Sequence, residues 1–154
     1  MFLKKQNLNN KNALITGAGK GIGKACTIAL AEAGANVIIV SRTKKDLIKV
    51  QNDVHKLNKK CNAIVCDVSN HLEVIKLFRK IKKLDILVNN AGTNRPEHFT
   101  KVKKQDMDYV VDLNIKAAFN IAQYAVKIML LSKKRKQLGG SIINMSSQLG
   151  HVAA

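Results

Sequence analysis

The sequence has no tryptophan, a single proline and only 4% aromatic residues. A core stacked from rings is therefore excluded, and burial falls to Ile, Val, Leu and Ala. With 1 Pro and 9 Gly in 154 residues, proline-rich and collagen-like chains are excluded as well. No Cys-x-x-Cys spacing relates Cys26, Cys61 and Cys66, which argues against a zinc ribbon or a disulfide scaffold. Each lies in or beside an apolar stretch and reads as a small buried hydrophobe, so a reducing, cytoplasmic setting is expected. No apolar run approaches the ~18 residues of a membrane span. The segment from Met1 to Asn12 carries Lys4 and Lys5 but no apolar core, so a secretory signal is unsupported.

Acidic residues are also scarce, 10 against 27 basic ones, for a formal charge of +17. Such a surplus raises the possibility of a polyanionic partner. The lysines are nevertheless spread over helix faces and element ends, without zinc-finger spacing or interleaved aromatics, and nucleic acid is the weaker alternative. The compact run Lys133, Lys134, Arg135, Lys136 reads first as a solvated helix end and second as an anion-binding or interface segment. The length suits one domain, since a chain of this size buries roughly 68–70% of its extended surface.

What is present is an alternation of short apolar runs with helical periodicity. Residues 13–16, 37–40, 63–66, 85–88 and 141–145 read as five strands. Between them, Ile22, Ala25, Cys26, Ala29, Leu30 and Ala33 form a three-four stripe. Residues 46–59 carry Leu47, Val50, Val54 and Leu57, and a third helix carries Val74, Leu77, Phe78 and Ile81. One long helix is expected over 105–131, with Tyr109 and Tyr124 packed along it. The implied fold class is α/β, a doubly wound, mostly parallel sheet of the Rossmann-like kind. Ligands on such sheets bind beyond the C-terminal strand ends, where strand order reverses.

Those ends hold the unusual residues. The first reads Thr16-Gly17-Ala18-Gly19-Lys20-Gly21-Ile22-Gly23. Glycines let a phosphate approach the backbone, and the following helix start supplies unpaired N–H groups. The pattern lacks the Gly-Lys-Ser/Thr ending of a Walker loop, and Ile22 stands where a G-x-G-x-x-G fingerprint needs glycine. Further on come Asp67-Val68, Asn89-Asn90-Ala91-Gly92, Asn114 and Ser146-Ser147. With Thr16-Gly17-x-x-x-Gly21-Ile22-Gly23, this ordered series resembles the short-chain dehydrogenase/reductase family over nearly the whole chain. Local stretches are similar to carbonyl/xylulose reductases, ketoacyl reductases and sugar-acid dehydrogenases within it.

The resemblance implies a nicotinamide cofactor bound by the glycine motif, with Asp67 and Val68 at the adenine and Asn89, Asn90, Ala91 and Gly92 beside the ribose. At the second strand end, NAD-selective sites commonly place an acid, whereas this chain reads Ser41-Arg42-Thr43. Arg42 suits a 2′-phosphate, helped by Ser41, Thr43 and Lys20, so NADP(H) is the expected cofactor and NAD(H) the alternative. A family member moves a hydride between the nicotinamide and a carbonyl or secondary alcohol. It does so with a serine, matched by Ser147, a Tyr-x-x-x-Lys pair, and a helix asparagine, matched by Asn114. That Tyr-x-x-x-Lys motif would fall past Ala154. The chain is accordingly expected to be one NADP-binding domain over 1–154, incomplete after the fifth strand and without turnover of its own, a cofactor-binding protein that lost catalysis being the alternative. Asn94, Arg95 and His151 are candidates to face a small-molecule carbonyl or alcohol substrate, and Arg95 suits a carboxylate or phosphate. The family also implies a homodimer or homotetramer, with the helix around Asn114 at an interface.

Overall fold

The computed structural model describes residues 7–147. Five strands run in the order β1 (Asn12–Thr16), β2 (Asn36–Ser41), β3 (Cys61–Val65), β4 (Ile86–Asn89) and β5 (Ser141–Asn144). All pairings are parallel, in the spatial order β3-β2-β1-β4-β5. The chain moves outward from β1 to β3, then crosses back to lay β4 on the other side of β1. The sheet therefore has a topological switch between β1 and β4.

The unbroken apolar runs follow from burial on both faces. Successive strand side chains point to opposite sides. Ala13, Ile15, Val37, Ile39, Ile86 and Val88 join one core with Leu47, Val50 and Val54 of α2 (Lys44–Lys56) and Ala31 of α1 (Gly21–Glu32). Leu14, Val40 and Leu87 point the other way, into a core with Val74, Leu77 and Phe78 of α3 (His71–Arg79) and with Ile121, Ala125 and Met129 of α5 (Ala118–Leu130). Tyr124 packs as expected, its ring stacked on Phe78 with centroids 5.3 Å apart.

Four local readings need correction. The inward face of α1 is Gly23, Thr27 and Ala31, while Ile22 is 60% exposed and Ala25 is exposed. A helix pressed close to the sheet turns its smallest side chains inward, so its apolar stripe is a poor guide to orientation. The second helix ends at Lys56 because Asn58 takes a left-handed φ of 56° and Lys59 N–H bonds back to the Val54 carbonyl. The long helix is one continuous helical stretch, but α4 (Lys104–Val111) passes into α5 through a π-helical turn at Asp112–Ala117. Such turns recur at functional positions, and Asn114 sits in this one. Finally, the basic run forms its own short helix α6 (Lys133–Leu138), capped by Ser132, and Arg135 is not solvated.

Arg135 closes the N-terminal edge of the sheet. Its Nε lies 3.1 Å from Asp85 Oδ1, with the two side chains 13% and 15% exposed, and its Nη1 donates to the Gly139 carbonyl at 2.8 Å. Asp85 Oδ2 accepts the Asn12 backbone N–H at 2.9 Å, and Asp85 N–H donates to the Asn12 carbonyl at 2.9 Å. One carboxylate thereby ties β1, β4 and α6 together. Removing one member of a buried pair leaves the other charge unpaired, at about 3–5 kcal/mol. Asp85→Ala should fall at the low end of that range, because Arg135 keeps its bond to Gly139. The check is urea unfolding of both chains.

Candidate functional site

The C-terminal ends of the strands enclose a cleft of about 330 Å³. It is lined by Gly17, Gly19, Lys20, Ser41, Arg42, Thr43, Asp67, Val68, Asn90, Ala91 and Gly92. Eleven residues singled out from four separate loops therefore converge on one cavity. Val40, Asp46, Cys66 and Leu113 complete the lining and were not anticipated. Asp46 carries no motif signal, since an acid in the first turn of a helix reads as a dipole partner.

Thr16 and Asn90 build the floor. The Thr16 hydroxyl oxygen accepts the backbone N–H groups of Asn90 and Ala91, each at 3.0 Å, and is fully buried. Asn90 Nδ2 donates back to the carbonyls of Thr16 at 3.0 Å and Gly17 at 3.3 Å. Gly17 can accept this lock because it holds a φ of 63°, and a Cβ there would meet Asn90 Nδ2 at 2.8 Å. Gly23 is tighter still, as its Cβ would lie 2.4 Å from the Gly17 carbonyl oxygen and 2.6 Å from Asn90 Nδ2. Gly19 faces Asp46 and Ser41 across the cleft at 3.0 and 3.1 Å by the same measure.

Above this floor, α1 begins at Lys20 in extended conformation, with no side-chain cap and no acid in its first turn. Its opening N–H groups thus lack the side-chain acceptor that usually satisfies them. A cradle of glycines, an uncapped twelve-residue helix and the cations Lys20 and Arg42 fit a phosphate group. Gly21, Ile22 and Gly23 lie on that first turn, outside the lining proper.

The other candidates are placed as follows. Asn89 is buried at the end of β4, where Nδ2 donates to the Ala118 carbonyl at 2.7 Å and to Asn144 Oδ1 at 3.3 Å, linking the strand to α5 and β5. Asp67 Oδ1 accepts the Ser69 N–H and hydroxyl at 2.9 and 2.7 Å, while its Oδ2 lies 4.0 Å from Arg42 Nη1. Asn114 uses both ends of its amide on the Thr93 backbone, accepting N–H at 2.9 Å and donating to the carbonyl at 2.8 Å. Ser147 is exposed beyond the C-terminal end of β5. Neither Asn114 nor Ser147 belongs to the cleft lining. Gln148, Leu149, Gly150 and His151 lie outside the described residues.

Tyr109 does not pack against the core. Its hydroxyl accepts Arg42 Nη1 at 3.0 Å, and Arg95 stands over its ring at 5.1 Å from the centroid. The bond to Tyr109, with a smaller contribution from Asp67, raises the Arg42 pKa above its ordinary value. Burial pushes the Cys66 thiol up to about 11, aided by the carboxylates of Glu73 and Asp67. Burial alone pushes Cys61 to about 11. Among the described residues, no three His, Cys, Asp or Glu side chains gather as a metal site, and no helix is long and apolar enough to cross a membrane.

A parallel sheet with a glycine-lined anion cradle at its switch point defines the class of nucleotide-binding α/β proteins. Within it, the chain belongs to the short chain dehydrogenase family, whose profile matches residues 11–154. It is 38% identical over 147 residues to the 3-oxoacyl-[acyl-carrier-protein] reductase FabG of Thermotoga maritima, covering 93% of this chain and 58% of that protein. A short-chain type dehydrogenase/reductase structure from Mycobacterium marinum matches with a TM-score of 0.89 and 32% identity, covering 96% of this chain and 58% of that one. The structure of an NAD+-bound xylitol dehydrogenase matches with a TM-score of 0.86 and 28% identity, covering 97% and 57%. The chain thus spans somewhat over half the length of these relatives.

Two outcomes follow. Gly23→Ala should destabilise the chain by about 1–3 kcal/mol, since its methyl group meets backbone. Urea unfolding of parent and variant checks this. The raised thiols set an alkaline limit. Between pH 9 and 11 the unfolded chain sheds thiol protons that the folded chain keeps, so stability from this source is full below pH 9 and lost as pH rises through 11. A Cys61→Ala, Cys66→Ala variant should lose less stability over that window than the parent.

Proposed function

We propose that the chain is the NADP(H)-binding part of a reductase that moves a hydride between the nicotinamide and a carbonyl or secondary alcohol carbon, with a 3-oxoacyl thioester as the substrate class. The substrate class is taken from the FabG relative. The observation that carries the cofactor reading is the guanidinium of Arg42 in the cleft lining just after β2, with Lys20, Ser41 and Thr43 lining the same cleft. A 2′-phosphate needs donors at that point, and no acid occupies positions 41–43. A relative with this fold, the xylitol dehydrogenase, is bound to NAD+, so the fold alone does not select NADP(H). Arg42 therefore bears the choice here.

When bound, the cofactor supplies the hydride. The backbone N–H groups of the α1 start would hold its pyrophosphate, Asp67 and Val68 would hold the adenine, and Asn90, Ala91 and Gly92 would flank the ribose. Ser147 is assigned to the substrate oxygen. Support for that comes from the Asn89 bridge to Asn144 and from Met145 N–H donating to the Asn89 carbonyl at 3.0 Å, which carry β5 to the same edge of the sheet as Thr16 and Asn90. Asn114 is assigned a positioning role through the Thr93 loop. Assembly as a homo-oligomer is supported by exposed Ile115 in the π turn and by Phe119, Val126 and Leu130 on α5.

Arg42→Ala is the deciding variant. Hydrogen bonds to charged groups contribute about 1.5–3 kcal/mol, so NADPH affinity should drop by about tenfold or more while NADH affinity stays level. Equal losses for both cofactors, in fluorescence titrations, would count against the NADP(H) assignment.

A further inference from the structure

Arg42 stands between two acceptors of different kinds. Tyr109 offers a neutral phenol oxygen at 3.0 Å, and Asp67 offers a carboxylate oxygen at 4.0 Å. The two come from different elements of the chain. Asp67 follows β3, whereas Tyr109 is on α4, one turn before Leu113, which also lines the cleft. Both contacts are made by the same Nη1 of Arg42, whose ordinary electrostatic choice would be the carboxylate. A guanidinium forked onto a carboxylate has its charge compensated and its donors used. One bonded to a phenol keeps its charge and all but one of its five N–H donors. Arg95, over the outer face of the Tyr109 ring, adds a cation–π contact that favours the observed ring position.

We propose that Tyr109 is a positioning residue for cofactor choice: its hydroxyl holds Arg42 off Asp67, leaving the guanidinium for a ribose 2′-phosphate and Asp67 Oδ2 for the adenine. The proposal rests on the NADP(H) reading above and names a residue from outside the cleft lining. It also accounts for a tyrosine that faces an arginine rather than the core.

The experiment is a set of NADPH and NADH titrations on the parent chain, Tyr109→Phe, Arg42→Ala and the double variant, each first shown to be folded by circular dichroism. Tyr109→Phe should weaken NADPH about three- to tenfold, the value of one net hydrogen bond, and leave NADH within a factor of about two. In the Arg42→Ala background the same change should do nothing, because the side chain it positions is gone. Asp67→Asn, which removes the competing charge, should restore the NADPH-to-NADH ratio of Tyr109→Phe. Unchanged NADPH affinity in Tyr109→Phe, equal loss for both cofactors, or a loss that persists without Arg42 each overturns the role of Tyr109. If Arg42→Ala itself leaves the ratio unaltered, or the parent binds neither cofactor, the NADP(H) reading falls and takes this inference with it.

Discussion

The bond set between Thr16 and Asn90 is the constraint on which the rest depends. A parallel sheet that reverses its winding must hold apart two loops leaving neighbouring strands in opposite directions, and the gap between them is where a ligand fits. Here the gap has a fixed floor because one hydroxyl accepts two N–H groups and one amide answers two carbonyls. Thr16 is fully buried and Asn90 partly so, and leaving a buried polar group unsatisfied costs about 1–3 kcal/mol. The same lock dictates the glycines. Gly17 and Gly23 are pressed against Asn90 so closely that any side chain would open the floor. The motif is thus as much a packing requirement as a phosphate cradle.

The opposite edge of the sheet repeats the device with charge. Asp85 and Arg135 fasten the N-terminal ends of β1 and β4 and the helix preceding β5. With one tie at each end, β1 and β4 are held in register over the Ala13–Ile86, Leu14–Leu87 and Ile15–Val88 pairs. β5 depends on both ties, since Ser141 N–H bonds to the Asp85 carbonyl and Met145 N–H to that of Asn89. Its residues are exposed, so backbone pairing and these end contacts, more than burial, hold it at the edge.

The strands were legible because burial on both faces removes polar residues from them, and the cleft was legible because loops at a switch point use residue types with few other reasons to cluster. What escaped was orientation. The stripe of α1 placed Ile22 inward, but close approach to the sheet selected Gly23, Thr27 and Ala31. The basic run looked uniform until Arg135 proved to have a largely covered acid, Asp85, as partner, a contact spanning fifty residues of sequence. Tyr109 read as packed along the long helix because an aromatic on a helix usually is, and its partner lies two strands away. Asn114 was recognisable as a motif position, while the π turn that aims it at Thr93 leaves no periodic signal in six residues.

The overall charge of +17 does not explain the anion site. Lys20 and Arg42 line the cleft, but so do Asp46 and Asp67, two of only 10 acids in the chain. The formal side-chain charge of the lining is therefore balanced, although the surface around it is strongly basic. Attraction at long range belongs to the lysines and is screened over roughly 8–10 Å in physiological salt, which concentrates anions without choosing among them. Selection must come from short-range donors held in fixed directions: the uncapped start of α1 and the guanidinium of Arg42. A site of this kind discriminates by where a phosphate sits. Under the proposed NADP(H) reading its specificity depends on what orients the arginine, since a small rotation toward Asp67 would compensate the charge offered to a 2′-phosphate.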